Sequence, residues 1–330
     1  MTVLINSPHL AAEGVAVLEA AGCDLHFVEA FPPPERVAEA AAEVDAAAII
    51  ARQGRITAAV MDAAPNLRVI ARHGAGTDEV DLEAARARGV LVTRTPGANA
   101  RAVAEHAIAL IFLMVKDLPG MQRRVAAAGW REGDMQVRDI AGLRLGLVGM
   151  GPIGQETARL GQGLGMTVSA VSRHADDMAF RHARRVSNLE TLLRESDILS
   201  LHTALTEESR EMLNARTLAL LPRGSLIVNT ARGGLIDESA LLAALDSGHI
   251  AGAGLDVTTS EPPPPDHPFR RHPSVVLTPH VAGVTALSMV QMATDAAECV
   301  VAALTGGIVP PDRIVVPSRL DGSREQPSPS

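Results

Sequence analysis

Three polar side chains lie just past apolar, β-branched runs, where strands would end. Arg232 follows Ser225–Asn229 in the segment Val228-Asn229-Thr230-Ala231-Arg232-Gly233-Gly234. Glu261 follows Gly254-Leu255-Asp256-Val257 and precedes a proline run, and His280 follows Val275-Val276-Leu277-Thr278-Pro279. Together these three types make chemical sense for a 2-keto acid. A guanidinium can hold the carboxylate or polarise the ketone. An imidazole can give a proton to the developing alkoxide and take it back in reverse. A carboxylate beside the imidazole favours its charged form. A lone histidine after a strand is more often structural, so the weight rests on the three together.

Upstream lies a dinucleotide signature. Leu145-Gly146-Leu147-Val148 reads as a buried strand running into Gly149-Met150-Gly151-Pro152-Ile153-Gly154, with a helix from Gln155. This is Gly-x-Gly-x-x-Gly in the strand–turn–helix context it needs. The first glycine permits a tight turn, the second lets backbone approach a pyrophosphate, and the third lets helix and strand pack closely. An acidic residue about 20 positions further on would select NAD by binding the ribose 2′-hydroxyl. Here the next strand, Thr167–Val171, ends in Ser172-Arg173-His174. Serine does not repel a 2′-phosphate, and arginine can pair with one. The expectation is NADP in preference to NAD. Asp176 and Asp177 are the competing acids: on a solvated turn they have no bearing on the cofactor, but curled back onto the ribose they would favour NAD.

The elements that must position these groups follow from the pattern of the chain. Short strand-like runs alternate with helix-like stretches: Val3–Ile5, Asp24–Val28, Ala46–Ile50, Arg68–Ala71, Val90–Thr93, Arg144–Val148, Thr167–Val171, Asp197–Leu201, Ser225–Asn229, Ala253–Val257 and Val275–Thr278. Such alternation implies parallel sheets with right-handed crossovers. That many strands exceed one ordinary open sheet, so the expected fold is α/β with two doubly wound parallel-sheet domains. The first break falls at Thr95-Pro96-Gly97-Ala98, after which Asn99 could cap a long helix. The second falls near Gly283, before a helix-like stretch Ala286–Leu304 that would pack back on the first unit. The expected division is a discontinuous substrate-binding domain of residues 1–98 and 283–317, a dinucleotide-binding domain of residues 99–282, and a disordered tail of residues 318–330.

Composition narrows the class. The chain has 330 residues, 47% hydrophobic, with a net charge of −8. That charge argues against a general nucleic-acid surface while leaving room for a local anion pocket. Cys23 and Cys299 form no metal-ligand spacing and read as idle thiols of a reducing cytoplasm. No metal is expected. The start of the chain lacks a basic segment followed by an apolar one, and no run of about 18 uninterrupted apolar residues predicts a membrane span.

With these residues in place, the chain resembles the D-isomer-specific 2-hydroxyacid dehydrogenase family. The resemblance rests on Gly149–Gly154, Asn229–Gly233, Gly254–Val257 through Glu261-Pro262, and Leu277-Thr278-Pro279-His280-Val281-Ala282-Gly283, and covers roughly residues 45 to 305. It implies a Rossmann cofactor domain inserted in a flavodoxin-like substrate domain, with the active site in the cleft between them. It implies that Arg232 orients the substrate, Glu261 tunes the histidine and His280 is the acid/base. Gly149, Gly151, Pro152, Ile153, Gly154, Ser172, Arg173, Thr203, Thr230 and Ala231 would bind the cofactor, and Asp256 would contact the nicotinamide carboxamide. In the first unit, Arg72-His73-Gly74-Ala75-Gly76-Thr77-Asp78 is similar to the family's substrate loop, so Gly74, Ala75 and Gly76 would grip the substrate carboxylate. By residue type alone it is either an anion nest or a simple loop. Arg52 and Arg94, near strand ends, are expected at the surface, with a reach into the cleft as the alternative.

The resemblance also implies a homodimer, for which the Asn99–Val115 helix is the candidate interface unless its apolar excess is buried within the monomer. The expected activity is reduction of glyoxylate or hydroxypyruvate. The alternatives are D-3-phosphoglycerate or another D-2-hydroxyacid, or a cofactor-sensing corepressor. Glutamate at 261 argues against formate, where relatives carry glutamine, and leaves phosphite open. Thr203-Ala204-Leu205-Thr206 departs from the family's Leu-Pro-Leu-Thr by lacking the proline. No regulatory domain is expected after the second unit.

Overall fold

A computed structural model of the chain describes residues 1–131, 136–173 and 175–318. The expected disordered tail lies, from Arg319 on, outside the described residues, as does His174. The chain forms two compact units, Met1–Asn99 with the residues from Thr285 on, and Ala100–Val284.

The first unit begins β1 (Thr2–Ile5), α1 (Ala12–Ala20), β2 (Asp24–Phe27), α2 (Pro34–Glu43), β3 (Ala48–Ala51) and α3 (Ala58–Ala63). It continues with β4 (Val69–Arg72), α4 (Leu82–Arg88) and β5 (Leu91–Thr93). The second unit contains α5 (Ala100–Val115), α6 (Leu118–Ala126), β6 (Arg144–Val148), α7 (Pro152–Gly163), β7 (Thr167–Val171) and β8 (Arg184–Arg185). It goes on through α8 (Leu189–Arg194), β9 (Ile198–Leu201), α9 (Ala215–Leu218), β10 (Ser225–Asn229), α10 (Glu238–Asp246), β11 (Ile250–Leu255) and β12 (Val275–Leu277). The chain then returns to the first unit as α11 (Ala286–Thr305) and β13 (Ile314–Val316).

In the first unit the strand order is β13-β5-β4-β3-β1-β2. The five strands β1 to β5 pair parallel in the flavodoxin-like order. β13, absent from the strands expected above, pairs antiparallel with β5 through Ile314 opposite Thr93, so this sheet is parallel except at one edge. The strands inside the sheet are apolar on both faces because helices cover both, whereas edge strand β2 carries Asp24 and His26. Leu4, Ile49, Ile70 and Val92 face one core with α2, α3 and α4. Val3, Ile5, Ala48, Ile50, Val69, Ala71 and Leu91 face the other with α1 and α11. α11 is long and apolar enough to cross a membrane by length and composition, but it packs against α1, β3 and β4.

In the second unit the order β12-β11-β10-β9-β6-β7-β8 is that of a dinucleotide-binding sheet with one added strand, all parallel. β8, two arginines long, is also absent from the expected strands, since two polar residues carry no alternation. β11 starts and ends earlier than expected, which leaves Asp256 and Val257 past the strand.

α5 lays one apolar face on the core of its own unit and leaves Phe112, Leu113 and Met114 half-buried. Ala107, Ile108, Leu110, Ile111 and Val115 are buried, and Phe112, Leu113 and Met114 pack on the same core. The helix seats closely on β11 because Gly254 has no side chain: a Cβ there would meet Leu110 Cβ at 2.9 Å. Exposed apolar side chains lie instead on and after α6, at Leu118, Val125 and Trp130. Asn99, expected to cap α5, leaves its Oδ1 buried with no partner among the described residues.

Candidate active site

Asn229, buried at the end of β10, shapes the loop that carries Arg232. Its Oδ1 accepts from Ala231 N at 3.0 Å and its Nδ2 donates to Arg232 O at 2.8 Å. The turn brings the Arg232 guanidinium close enough to His280 to oppose the charging of its imidazole. Gly233, next in the loop, runs so close to the next strand's loop that a Cβ there would collide with the Thr258 backbone. Thr258 in turn holds Glu261: its N–H donates to Glu261 Oε1 at 3.2 Å, and its hydroxyl to Ser260 O at 2.7 Å. The far side of this loop is tied to α10, where Glu238 accepts from Thr259 N at 2.8 Å and meets His267 Nε2 at 3.2 Å.

Glu261 Oε2 lies 2.6 Å from His280 Nδ1. This bond is the main cause that raises His280 above its ordinary value, and partial burial works against it. The pairing leaves Nε2 as the nitrogen able to exchange a proton with substrate. His280 adopts φ +53°, a left-handed backbone that costs a non-glycine residue about 1–2 kcal/mol. Neighbouring bonds hold it there. His280 N donates to Asp256 O at 2.9 Å. Asp256 Oδ1 accepts from Val281 N at 3.0 Å, and Oδ2 from Ala282 N at 2.8 Å. Asp256 is 1% exposed, and its carboxylate is turned to the His280 loop.

The glycine loop has the shape a dinucleotide requires. Gly149 adopts φ +99°, closed to most side chains, and lies against the His202 carbonyl. Gly154 would place a Cβ against the Gly149 carbonyl, whereas the space beside Gly151 is open. Pro152 sets φ for the first turn of α7, and Ile153 and Gly154 follow in it. Around this loop two buried polar atoms have no partner among the described residues, Thr230 Oγ1 after β10 and His202 Nδ1 after β9. Buried atoms of this kind are normally paired, and a bound ligand is one way to pair them. Burial lowers His202 to about 4, so it is neutral at pH 7. Thr203, next to it, is half-buried.

At the end of β7, Ser172 carries no charge, and Arg173 is exposed and ion-paired with Glu208. The competing acids are occupied elsewhere. Asp176 caps a short helical turn by accepting from Ala179 N at 3.0 Å, and Asp177 pairs with Arg185 at 2.8 Å.

In the first unit, the loop after β4 is pinned at its start, with Gly74 N donating to Thr95 Oγ1 at 2.9 Å. Arg72 Nε donates to Gly76 O at 3.0 Å, which holds the turn closed. No acceptor among the described residues takes the N–H of Ala75 or Gly76, as an anion nest requires. Beside it His73 is 6% exposed, with Nε2 unpartnered among the described residues. Burial, then Arg52 and Arg72, lower it to about 4. Arg52, expected at the surface, is half-buried and donates to Ser7 Oγ at 2.8 Å and His9 O at 2.6 Å. Arg94 is exposed.

Sequence reasoning missed Asn229, Thr258, Thr278, His106 and His202. Asn229 alone carried a local signal, an asparagine closing a strand two residues before a free N–H.

Residues 108–282 match the family model described as "D-isomer specific 2-hydroxyacid dehydrogenase, NAD binding domain". A glyoxylate reductase of Korarchaeum cryptofilum is 37% identical over 87% of this chain and 88% of its own length. A D-3-phosphoglycerate dehydrogenase of Mycobacterium bovis is 37% identical over 84% of this chain, which spans about half of that relative, 53%. A solved structure of a Thermus thermophilus protein superposes with TM-score 0.87 at 37% identity, over 96% of this chain and all (100%) of that one. This chain, with its Rossmann-ordered sheet, glycine loop and paired Glu261 and His280, belongs to the D-isomer-specific 2-hydroxyacid dehydrogenase family.

Proposed function

We propose that this protein reduces a small 2-keto acid to the D-2-hydroxy acid, with NADPH preferred over NADH. The observation that carries this reading is the 2.6 Å bond between Glu261 Oε2 and His280 Nδ1, with Arg232 beside it. When bound, the nicotinamide supplies the hydride. The chain's own residues do the rest. The Arg232 guanidinium orients the carboxylate and polarises the ketone. His280 delivers the proton from Nε2 to the carbonyl oxygen as negative charge develops there. Glu261 keeps that proton available by favouring the charged imidazole. In oxidation the neutral imidazole takes the proton back.

The glycine loop and the loops bearing Thr203, Thr230 and Ala231 are proposed to hold the cofactor, with Asp256 near its nicotinamide end. Thr230 Oγ1, buried and unpaired among the described residues, supports this. The NADPH preference is supported by uncharged Ser172, by Arg173, and by the engagement of Asp176 and Asp177 elsewhere. The free N–H groups at Ala75 and Gly76 are proposed to hold the substrate carboxylate. Glyoxylate or hydroxypyruvate is the favoured substrate, on the full-length likeness to a glyoxylate reductase. Equal identity to a D-3-phosphoglycerate dehydrogenase favours a second reading, oxidation of that phosphorylated acid. A homodimer in the cytoplasm completes the proposal, with the exposed apolar residues of α6 and Trp130 as the interface.

The test is a side-by-side assay of glyoxylate, hydroxypyruvate and D-3-phosphoglycerate with each cofactor. Fastest turnover of a short 2-keto acid with NADPH is expected. Turnover of the phosphorylated acid alone would transfer the assignment to the second reading.

A further inference from the structure

We propose that His106 is a positioning residue for His280, acting through Thr278 and Asp256; this rests on the acid/base role given to His280 above. His106 lies on α5, 172 positions from Thr278 in the chain, and no motif includes it. Its Nε2 lies 3.0 Å from Thr278 Oγ1 and 3.7 Å from Asp256 Oδ1. Thr278 Oγ1 lies 2.5 Å from Asp256 Oδ1 and only 3.5 Å from the alternative acceptor Leu255 O.

The direction of each bond follows from hydrogen counting. Asp256 accepts two backbone N–H groups, one at each carboxylate oxygen. A carboxylate oxygen accepts, so the short bond is donated by the Thr278 hydroxyl. That hydroxyl has one hydrogen and has spent it. Towards His106 it can therefore only accept, and His106 Nε2 must carry the hydrogen. The relay runs His106 Nε2–H to Thr278 O–H to the Asp256 carboxylate, which holds the N–H groups of Val281 and Ala282. Those are the two residues after His280, whose own left-handed backbone needs such support.

α5 is a firm origin for this relay. Ala107, Leu110 and Ile111, its neighbours in the helix, are buried to within 1% exposure. Without the His106 donor the Thr278 hydroxyl loses the partner that fixes its rotamer, and the bond to Asp256 loosens. The imidazole then wanders from the reacting oxygen, and small displacements there cost rate steeply. The larger effect is expected on kcat rather than on KM, because the bond of His106 leads through Thr278 to the His280 loop.

The experiment compares His106→Gln, His106→Leu, Thr278→Val and the double variant His106→Leu/Thr278→Val with NADPH and glyoxylate. Glutamine can present an N–H near the position of His Nε2, and leucine cannot. His106→Leu is expected to lower kcat about tenfold with KM changed less than about twofold, while His106→Gln keeps kcat within about threefold. The double variant should be no worse than Thr278→Val, because both substitutions cut one relay. Wild-type rates in His106→Leu, equal damage from glutamine and leucine, or additive losses would each overturn the proposal. Should no keto acid be turned over, the activity proposed above fails, yet the relay can still be read by NMR. The His280 ring resonance, assigned by its loss in His280→Asn, should titrate about half a pH unit lower in His106→Leu and unchanged in His106→Gln. Equal midpoints in all three proteins would remove the relay.

Discussion

Gly233 lies against the Thr258 backbone with no room for a methyl group between them. Through this contact the loop carrying Arg232 is packed on the loop whose Thr258 N–H holds Glu261. Gly233→Ala must push two main chains apart, which side-chain rotation cannot relieve. Overpacking of this kind costs roughly 1–3 kcal/mol. A lower midpoint of thermal unfolding is expected. A loss of kcat should accompany it, and should persist at temperatures where the variant is still fully folded. A variant as active and as stable as the parent would show that the two loops do not need this spacing.

The glycine loop offers a pair of substitutions with opposite expectations. Gly154→Ala collides with the Gly149 carbonyl and should destabilise the unit directly. Gly151→Ala meets open space within the protein, so its stability should be close to that of the parent. Its methyl group would instead occupy the approach proposed for the pyrophosphate, and NADPH affinity should fall by about tenfold or more. Cofactor fluorescence titration and thermal unfolding of both variants separate the two effects. Unchanged affinity in Gly151→Ala would place the dinucleotide elsewhere.

Glu261→Gln tests the pairing with His280 through pH. In the parent, the Glu261 bond raises His280 above its ordinary midpoint of about 6.5. The charged imidazole, the form needed for reduction, therefore persists to higher pH and is lost as pH rises through the raised value. The same sign governs stability: the contribution is complete below the ordinary midpoint and lost as pH rises through the folded one. Both groups are substantially exposed, at 52% and 37%, so this contribution to stability should be small. In Glu261→Gln the alkaline limb of the reductive pH–rate profile should move to lower pH. A limb that stays in place would assign it to another group.

Arg173→Ala is expected to weaken NADPH binding roughly tenfold or more, the scale of a charge-assisted hydrogen bond, and to leave NADH binding alone. Glu208→Gln should act the other way, because it frees Arg173 from its ion pair. Direct titration of both cofactors decides. Equal losses for NADPH and NADH in Arg173→Ala would mean that Arg173 does not meet the 2′-phosphate.

The parts of the site that are legible in the sequence are those that chain neighbours encode. The glycine loop and the segments carrying Arg232, Glu261 and His280 each combine a strand end with its own turn residues. Edge strands are not legible, because β8 is two arginines with no alternation and β13 depends on pairing with Thr93 on a distant strand. The surplus of apolar residues on α5 suggests a partner surface. Part of it is taken up by close seating on Gly254 of β11, a contact between residues far apart in the chain. His106 is invisible for the same reason, since its meaning comes only from Thr278 and Asp256, which two other segments supply.

His280, tuned by Glu261, is proposed as the acid that completes reduction of a 2-keto acid. The most direct measurement is the oxidation of NADPH by glyoxylate or hydroxypyruvate in the parent and in His280→Asn. Asparagine tolerates the left-handed backbone found here, so the loop should survive the change. Loss of the proton donor should lower kcat by about 10²–10⁴-fold with cofactor affinity preserved. A variant that reduces the keto acid at the parental rate would mean that His280 is not the proton donor.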